Sequence, residues 1–116
     1  MATIQHTTST ATDGAIVYTW TGMVNNDVGT AIYLDGKHHL TAQVFGTFNA
    51  ATVEFDGSID GTNFVASTKK NAAGGVTFTA AGMAAFDTEP LYVRPKATGG
   101  GASTSVTCIL LVRGGD

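Results

Sequence analysis

Leu40-Thr41-Ala42-Gln43-Val44-Phe45-Gly46-Thr47-Phe48-Asn49, followed by Ala51-Thr52-Val53-Glu54-Phe55-Asp56-Gly57-Ser58-Ile59, decides the fold class. Side chains on a strand alternate between its faces. The first stretch therefore splits into Leu40, Ala42, Val44, Gly46 and Phe48 on one side and Thr41, Gln43, Phe45, Thr47 and Asn49 on the other. The second splits more cleanly, with Val53, Phe55, Gly57 and Ile59 facing in and Thr52, Glu54, Asp56 and Ser58 facing out. Each reads as a half-buried strand. Phe45 is the one apolar residue on an outer set that is otherwise polar.

Working outward, further strands are expected at Ala15 to Met23, Ala31 to Asp35, Phe64 to Ser67, Val76 to Thr79, Leu91 to Thr98 and Ser103 to Arg113. The last carries Val106, Cys108, Leu110 and Val112 on one face and Ile109 and Leu111 on the other, so it reads as a central or covered strand. Turn residues separate these runs at Asp13-Gly14, Asn25-Asn26-Asp27, Asp35-Gly36, Asp60-Gly61, Gly74-Gly75 and Gly99-Gly100-Gly101. The one helix candidate is the short run Ala80 to Phe86. About eight strands at this spacing predict an all-β, two-layer antiparallel β-sandwich, jelly-roll-like in first place and immunoglobulin-like in second. Its expected core holds Val44, Phe48, Val53, Phe55, Ile59, Val93, Val106, Cys108 and Leu110. Residues 14–116 form that sandwich, and residues 1–13 read as a polar, Thr-rich N-terminal arm. Thr3 to Thr8 has enough strand character to add to a sheet edge, either on another chain or on its own.

Composition narrows the function. The 116 residues suit one domain. Charged residues are only 13% and the net charge is −3, with six Lys and Arg scattered along the chain. A nucleic-acid surface or a polybasic membrane anchor needs clustered cations, so neither partner is expected. Cys108 to Val112 is too short to cross a bilayer, and Met1 to Thr12 lacks the basic start and apolar centre of a signal peptide. A single Cys forms no internal disulfide, which fits synthesis in a reducing cytoplasm.

The residue types that carry chemistry do not combine. Asp56, Asp60 and Asn63 around Gly57 and Gly61 could offer oxygens to calcium, but the spacing is not that of an EF-hand, and a hairpin whose Asp60 and Asn63 bond their own turn is the simpler reading. His38 and His39 point to opposite faces of a strand, and His6 is remote. Cys108 reads as a buried, inert thiol. Gly99-Gly100-Gly101 lacks the Gly-Lys-Thr ending of a phosphate loop, and Arg113-Gly114-Gly115-Asp116 carries one Gly too many for an integrin tripeptide. Glu54 and Asp56 share a strand face without the marks of an acid–base pair. No catalytic residue, metal site or cofactor is expected.

Two segments carry a resemblance. Val53-Glu54-Phe55-Asp56-Gly57-Ser58-Ile59-Asp60-Gly61-Thr62-Asn63-Phe64 is similar to a hairpin common in small tailed-phage virion proteins. Leu91-Tyr92-Val93-Arg94-Pro95-Lys96-Ala97-Thr98-Gly99-Gly100, with Val106-Thr107, is similar to their ending. The chain thereby resembles the jelly-roll capsid decoration, or cement, proteins of tailed bacteriophages. The resemblance implies a virion protein on the capsid exterior that binds the major capsid protein across capsomer junctions and stabilises the expanded shell. Alternatives are a phage tail or fibre module, and a carbohydrate-binding β-sandwich using Trp20, Tyr18, Tyr33 or Tyr92 as a stacking platform.

The apolar residues on faces that a monomer would keep polar are Phe45, Ile109 and Leu111, joined by Ile4 in the arm. These four are the expected interface residues, serving contact with the capsid and with a second or third copy in a homodimer or homotrimer.

Overall fold

The structure is a computed structural model, which describes residues 3–10, 14–34, 39–67, 74–87 and 90–113. His38, the Asp35-Gly36 step, Asp13 and the terminal Gly114-Gly115-Asp116 lie outside the described residues. The described residues form twelve strands and no helix. In chain order these are β1 (Thr3–Ile4), β2 (Thr7–Thr10), β3 (Ile16–Met23), β4 (Val28–Gly29), β5 (Ile32–Tyr33) and β6 (His39–Thr47). They continue with β7 (Thr52–Ser58), β8 (Val65–Ala66), β9 (Thr77–Phe78), β10 (Gly82–Ala85), β11 (Tyr92–Thr98) and β12 (Ser105–Arg113).

The fold is an all-β sandwich. Sheet I runs β1-β4-β11-β7-β8, with β5 also paired to β11 and β9 to β7. Sheet II runs β10-β6-β12-β3-β2. From β3 onward the chain alternates between layers: β3, β6, β10 and β12 lie in sheet II, while β4, β5, β7, β8, β9 and β11 lie in sheet I. All pairings are antiparallel except β1 beside β4. Twelve strands replace the expected eight because β1, β2, β4 and β10 are added, while β5, β8 and β9 occupy three of the expected runs as two-residue pieces.

Alternation does the packing. On β12, Val106, Cys108, Leu110 and Val112 are buried, and on β7 so are Val53 and Phe55. Trp20 and Phe55 centre the core; Phe55 meets Trp20, Phe78 and Phe86 edge-on at 6.4, 6.3 and 5.9 Å between ring centroids. Such rings give up the most apolar surface to the core, and the tilted geometry suits their quadrupoles. Of the expected core, Val44, Val53, Phe55, Val93, Val106, Cys108 and Leu110 are buried, and Phe48 packs half-buried against it.

Ile59 is a correction: it is 76% exposed. β7 ends at Ser58, and the next turn breaks the alternation. Ser58 Oγ donates to Asp60 Oδ1 at 2.9 Å and accepts from Gly61 N at 2.9 Å, so the chain swings away from the core before Ile59 can enter it. The helix expected over Ala80 to Phe86 is a second correction. Gly82–Ala85 instead form β10, in register with β6 from Gly82↔Val44 to Ala85↔Thr41. Seven residues interrupted by Gly82 gain too little from a helix to offset its nucleation, and the open edge of β6 supplies the hydrogen bonds.

The stretch expected as an arm closes one side of the sandwich. Thr3 and Ile4 pair with Val28 and Gly29 in sheet I, and Thr7 to Thr10 pair with Thr19 to Ile16 in sheet II. Between them the His6 ring lies 5.4 Å from Tyr18 and 5.8 Å from Trp20, and His6 Nδ1 is 2.7 Å from Thr30 Oγ1.

Candidate interaction surface

The outward residues of sheet II follow from its registers. One row across the five strands reads Met83, Gln43, Ile109, Thr19, Thr7. The next reads Ala85, Thr41, Leu111, Val17, Ser9. Phe45 lies opposite Thr107 at one end, and His39 opposite Arg113 at the other. Neither row holds a charged side chain. Phe45 is 43% and Met83 65% exposed, while Ile109, Leu111 and Val17 are half-buried in the plane of the sheet.

Sheet II therefore brings together three of the four expected interface residues, Phe45, Ile109 and Leu111. It does not bring Ile4, which sits on β1 at the edge of sheet I and packs half-buried against the core. Alternation alone missed Met83 and Val17. Met83 was hidden in the helix candidate, and Val17 belongs to a strand whose outer residues are otherwise Thr19 and Thr21.

A local irregularity shapes this face near Phe45. The β12–β3 register shifts between Val106 and Cys108. Beside it, Gly46 on β6 has φ +128°, and a Cβ there would lie 2.5 Å from the Ser105 carbonyl oxygen. Only glycine tolerates both the backbone angle and the close approach.

The outer face of sheet I has the opposite character. Arg94 stands opposite Asp56 and Lys96 opposite Glu54. Lys96 Nζ lies 3.6 Å from Glu54 Oε2 and 3.5 Å from Asp56 Oδ2. The Arg94 guanidinium lies 3.9 Å from the centre of the Phe64 ring. Burial pushes the Asp56 carboxyl up to about 7, with the neighbouring Glu54 adding to the rise and Lys96 opposing it. Asp60 moves the other way, held below the usual carboxylate range by its loop. Its Oδ1 accepts from Asn63 N at 2.8 Å and Thr62 N at 2.9 Å, and its Oδ2 from Asn63 Nδ2 at 2.8 Å. The carboxylate expected to bond its own turn does so, and its oxygens are taken by protein donors.

At the end of sheet I, next to this loop, a groove of about 620 Å³ opens between Ile59, Val65, Ser67 and Pro90. Trp20 is buried, its indole N–H donating to the Thr30 carbonyl at 3.1 Å, and Tyr18 packs against the core, so neither offers a flat ring to solvent. Tyr33 is exposed and tilts against Tyr92 at 5.3 Å. Cys108 is buried, its thiol pushed up to about 12 by burial and 3.6 Å from Met23 Sδ. Among the described residues no group of three or more His, Cys, Asp or Glu is placed to hold a metal ion.

No family model matches the sequence. A comparison with curated proteins gave no match either. Among solved structures the chain is similar to the SPBc2 prophage-derived protein YomS, with a TM-score of 0.67 at 13% identity over 84% of this chain and 93% of that one. The K1 and K3 cleaved adhesin domains of Lys-gingipain from Porphyromonas gingivalis align at TM-scores of 0.44 and 0.43, with 10% and 14% identity. They cover 97% and 84% of this chain and 85% and 74% of those domains. At 13% identity, what the chain shares with YomS is its β fold.

Proposed function

We propose that the chain is a structural protein of a tailed-phage virion. In this reading it binds the major capsid protein on the outside of the expanded shell, across capsomer junctions, through the outer face of sheet II. The observation that carries it is the pair of uncharged rows across that sheet, bearing Met83, Ile109 and Leu111, with Phe45 beside them at one end. Two adjoining rows without charges, with Arg113 confined to one end of the face, can lie against another protein without stripping water from ions, which is the costly part of burying polar groups. Patches of this kind mark protein contacts more often than solvent faces. The charged outer face of sheet I would then be left to solvent.

The winding supports the same reading. The spatial orders β10-β6-β12-β3 and β4-β11-β7-β8, filled by a chain that crosses between layers, accord with the jelly-roll winding of this proposal. The prophage origin of YomS accords with a phage setting. A decorator of this kind works by stiffness and contact area, with no catalytic step and no cofactor, and is made in the host cytoplasm.

The test is to mix purified protein with undecorated expanded capsids and image them by cryo-electron microscopy. Ordered density at capsomer junctions, with sheet II against the shell, is the expected result. Bare capsids at saturating protein, or copies seated by sheet I, would overturn the proposal.

A further inference from the structure

We infer that β2 is a strand-pairing edge for a second copy of this chain. Among the described residues β2 ends sheet II, and all four of its residues, Thr7, Thr8, Ser9 and Thr10, are exposed. A free edge presents unpaired backbone donors and acceptors, and proteins usually blunt it with a charge, a proline or a bulge. β2 carries none of these in its Thr-Thr-Ser-Thr sequence, and its β3 partner runs in unbroken register from Thr7↔Thr19 to Thr10↔Ile16.

The opposite edge, β10, reads Gly-Met-Ala-Ala, a run of poor strand formers, so pairing β2 with itself is favoured over a head-to-tail contact. The faces restrict the register, and an axis through Thr8 satisfies them. Thr7 and Ser9 point outward beside Thr19 and Val17, so outward must meet outward in the partner. A two-fold axis through Thr8 sets Thr7 against the second copy's Ser9 and Thr8 against its Thr8. Hydroxyl-bearing residues placed opposite each other are favourable cross-strand pairs.

The area gives the pairing a use, and this point rests on the capsid reading. Four strand spacings of ~4.8 Å and the nine residues of β12 at ~3.4 Å give the outer face of sheet II an extent on the order of 600 Å². That is less than the ~800 Å² per partner of a stable complex. Two copies joined at β2 form one ten-stranded sheet with both outer faces on the same side, which doubles the contact and ties two weak attachments together.

The test uses the full chain without capsids, so it is read independently of capsid binding. Sedimentation of the wild type at increasing concentration is compared with two double variants, Thr7→Lys with Ser9→Lys, and Thr7→Asp with Ser9→Asp. Circular dichroism checks that each retains the sheet spectrum. The wild type dimerises as concentration rises. Each double variant alone dimerises about tenfold less, because like charges then stand opposite one another, and an equal mixture of the two recovers the dimer. A wild type that stays monomeric at its highest soluble concentration overturns the inference. So does a dimer indifferent to the charges, or a mixture that does not recover.

Discussion

Gly29 shows what a single hydrogen atom permits. It sits on β4 where a Cβ would lie 2.7 Å from Trp20 Cδ1 and 2.7 Å from both Cγ and Cδ of Pro95. Trp20 and Pro95 are both buried, and neither can move without opening the core. Gly29→Ala is therefore expected to lower unfolding free energy by about 1–3 kcal/mol, measured by denaturant titration. Asp56 makes a different contribution, through pH. Its carboxyl sits at about 7 in the folded chain against 3.8 when free, so between those values the folded state holds the extra proton. Its contribution to stability is complete below about 3.8 and is lost as pH rises through about 7. Asp60, held low by its loop, has the opposite sign: its contribution is present above 3.8 and falls away only in stronger acid. A melting temperature that falls from pH 5 to pH 8 in the wild type, and falls less in Asp56→Asn, is the expected outcome. Equal slopes for the two proteins would place the dependence elsewhere.

At the scale of elements, the N-terminal stretch matters most. β1 and β2 join different sheets, so residues 3–10 cross the open side of the sandwich, with Ile4 against the core and His6 beside Trp20. Removing residues 2–12 uncovers that side and frees the edges of β3 and β4. The truncated protein is expected to melt at lower temperature and to show red-shifted emission from Trp20, its only tryptophan. Unchanged emission and melting would make the segment a dispensable appendage. A truncation that fails to fold is the extreme of the same outcome. Ile4→Ala gives a graded version, with a loss on the order of 1–2 kcal/mol for a half-buried side chain.

At the scale of the whole molecule, the two layers differ outside more than inside. The inner faces share one apolar core, whereas sheet I shows Glu54, Arg94 and Lys96 outward around the buried Asp56 and sheet II shows neutral rows. On the capsid proposal, this asymmetry separates a contact side from a solvent side. Phe45→Asp and Met83→Asp place carboxylates on the contact side at exposed positions, so folding should be little affected. Capsid occupancy is expected to fall at least about tenfold, the effect of one poorly compensated buried charge. Lys96→Gln, on the other layer, is expected to leave occupancy unchanged. Loss of occupancy from Lys96→Gln and not from Phe45→Asp would reverse the assignment of sides.

The sequence by itself determined where the long strands lie. Expected runs at Ala15 to Met23, Leu40 to Asn49, Ala51 to Ile59, Leu91 to Thr98 and Ser103 to Arg113 match β3, β6, β7, β11 and β12 to within a few residues. Alternation is a local property, readable from neighbours two apart, and so is the excess of apolar residues on β12 that marks it as central. Phe45, Ile109 and Leu111 were legible as outward apolar residues for the same reason. Only the tertiary structure decided that they share one face, because β6 and β12 pair across some sixty residues of chain. It also decided that Met83 joins them, that Ile4 turns to its own core, and that β1 and β2 go to different sheets. Those outcomes depend on which edges stand open once the long strands have paired, and an open edge is a property of the assembled sheet that no short window of residues contains.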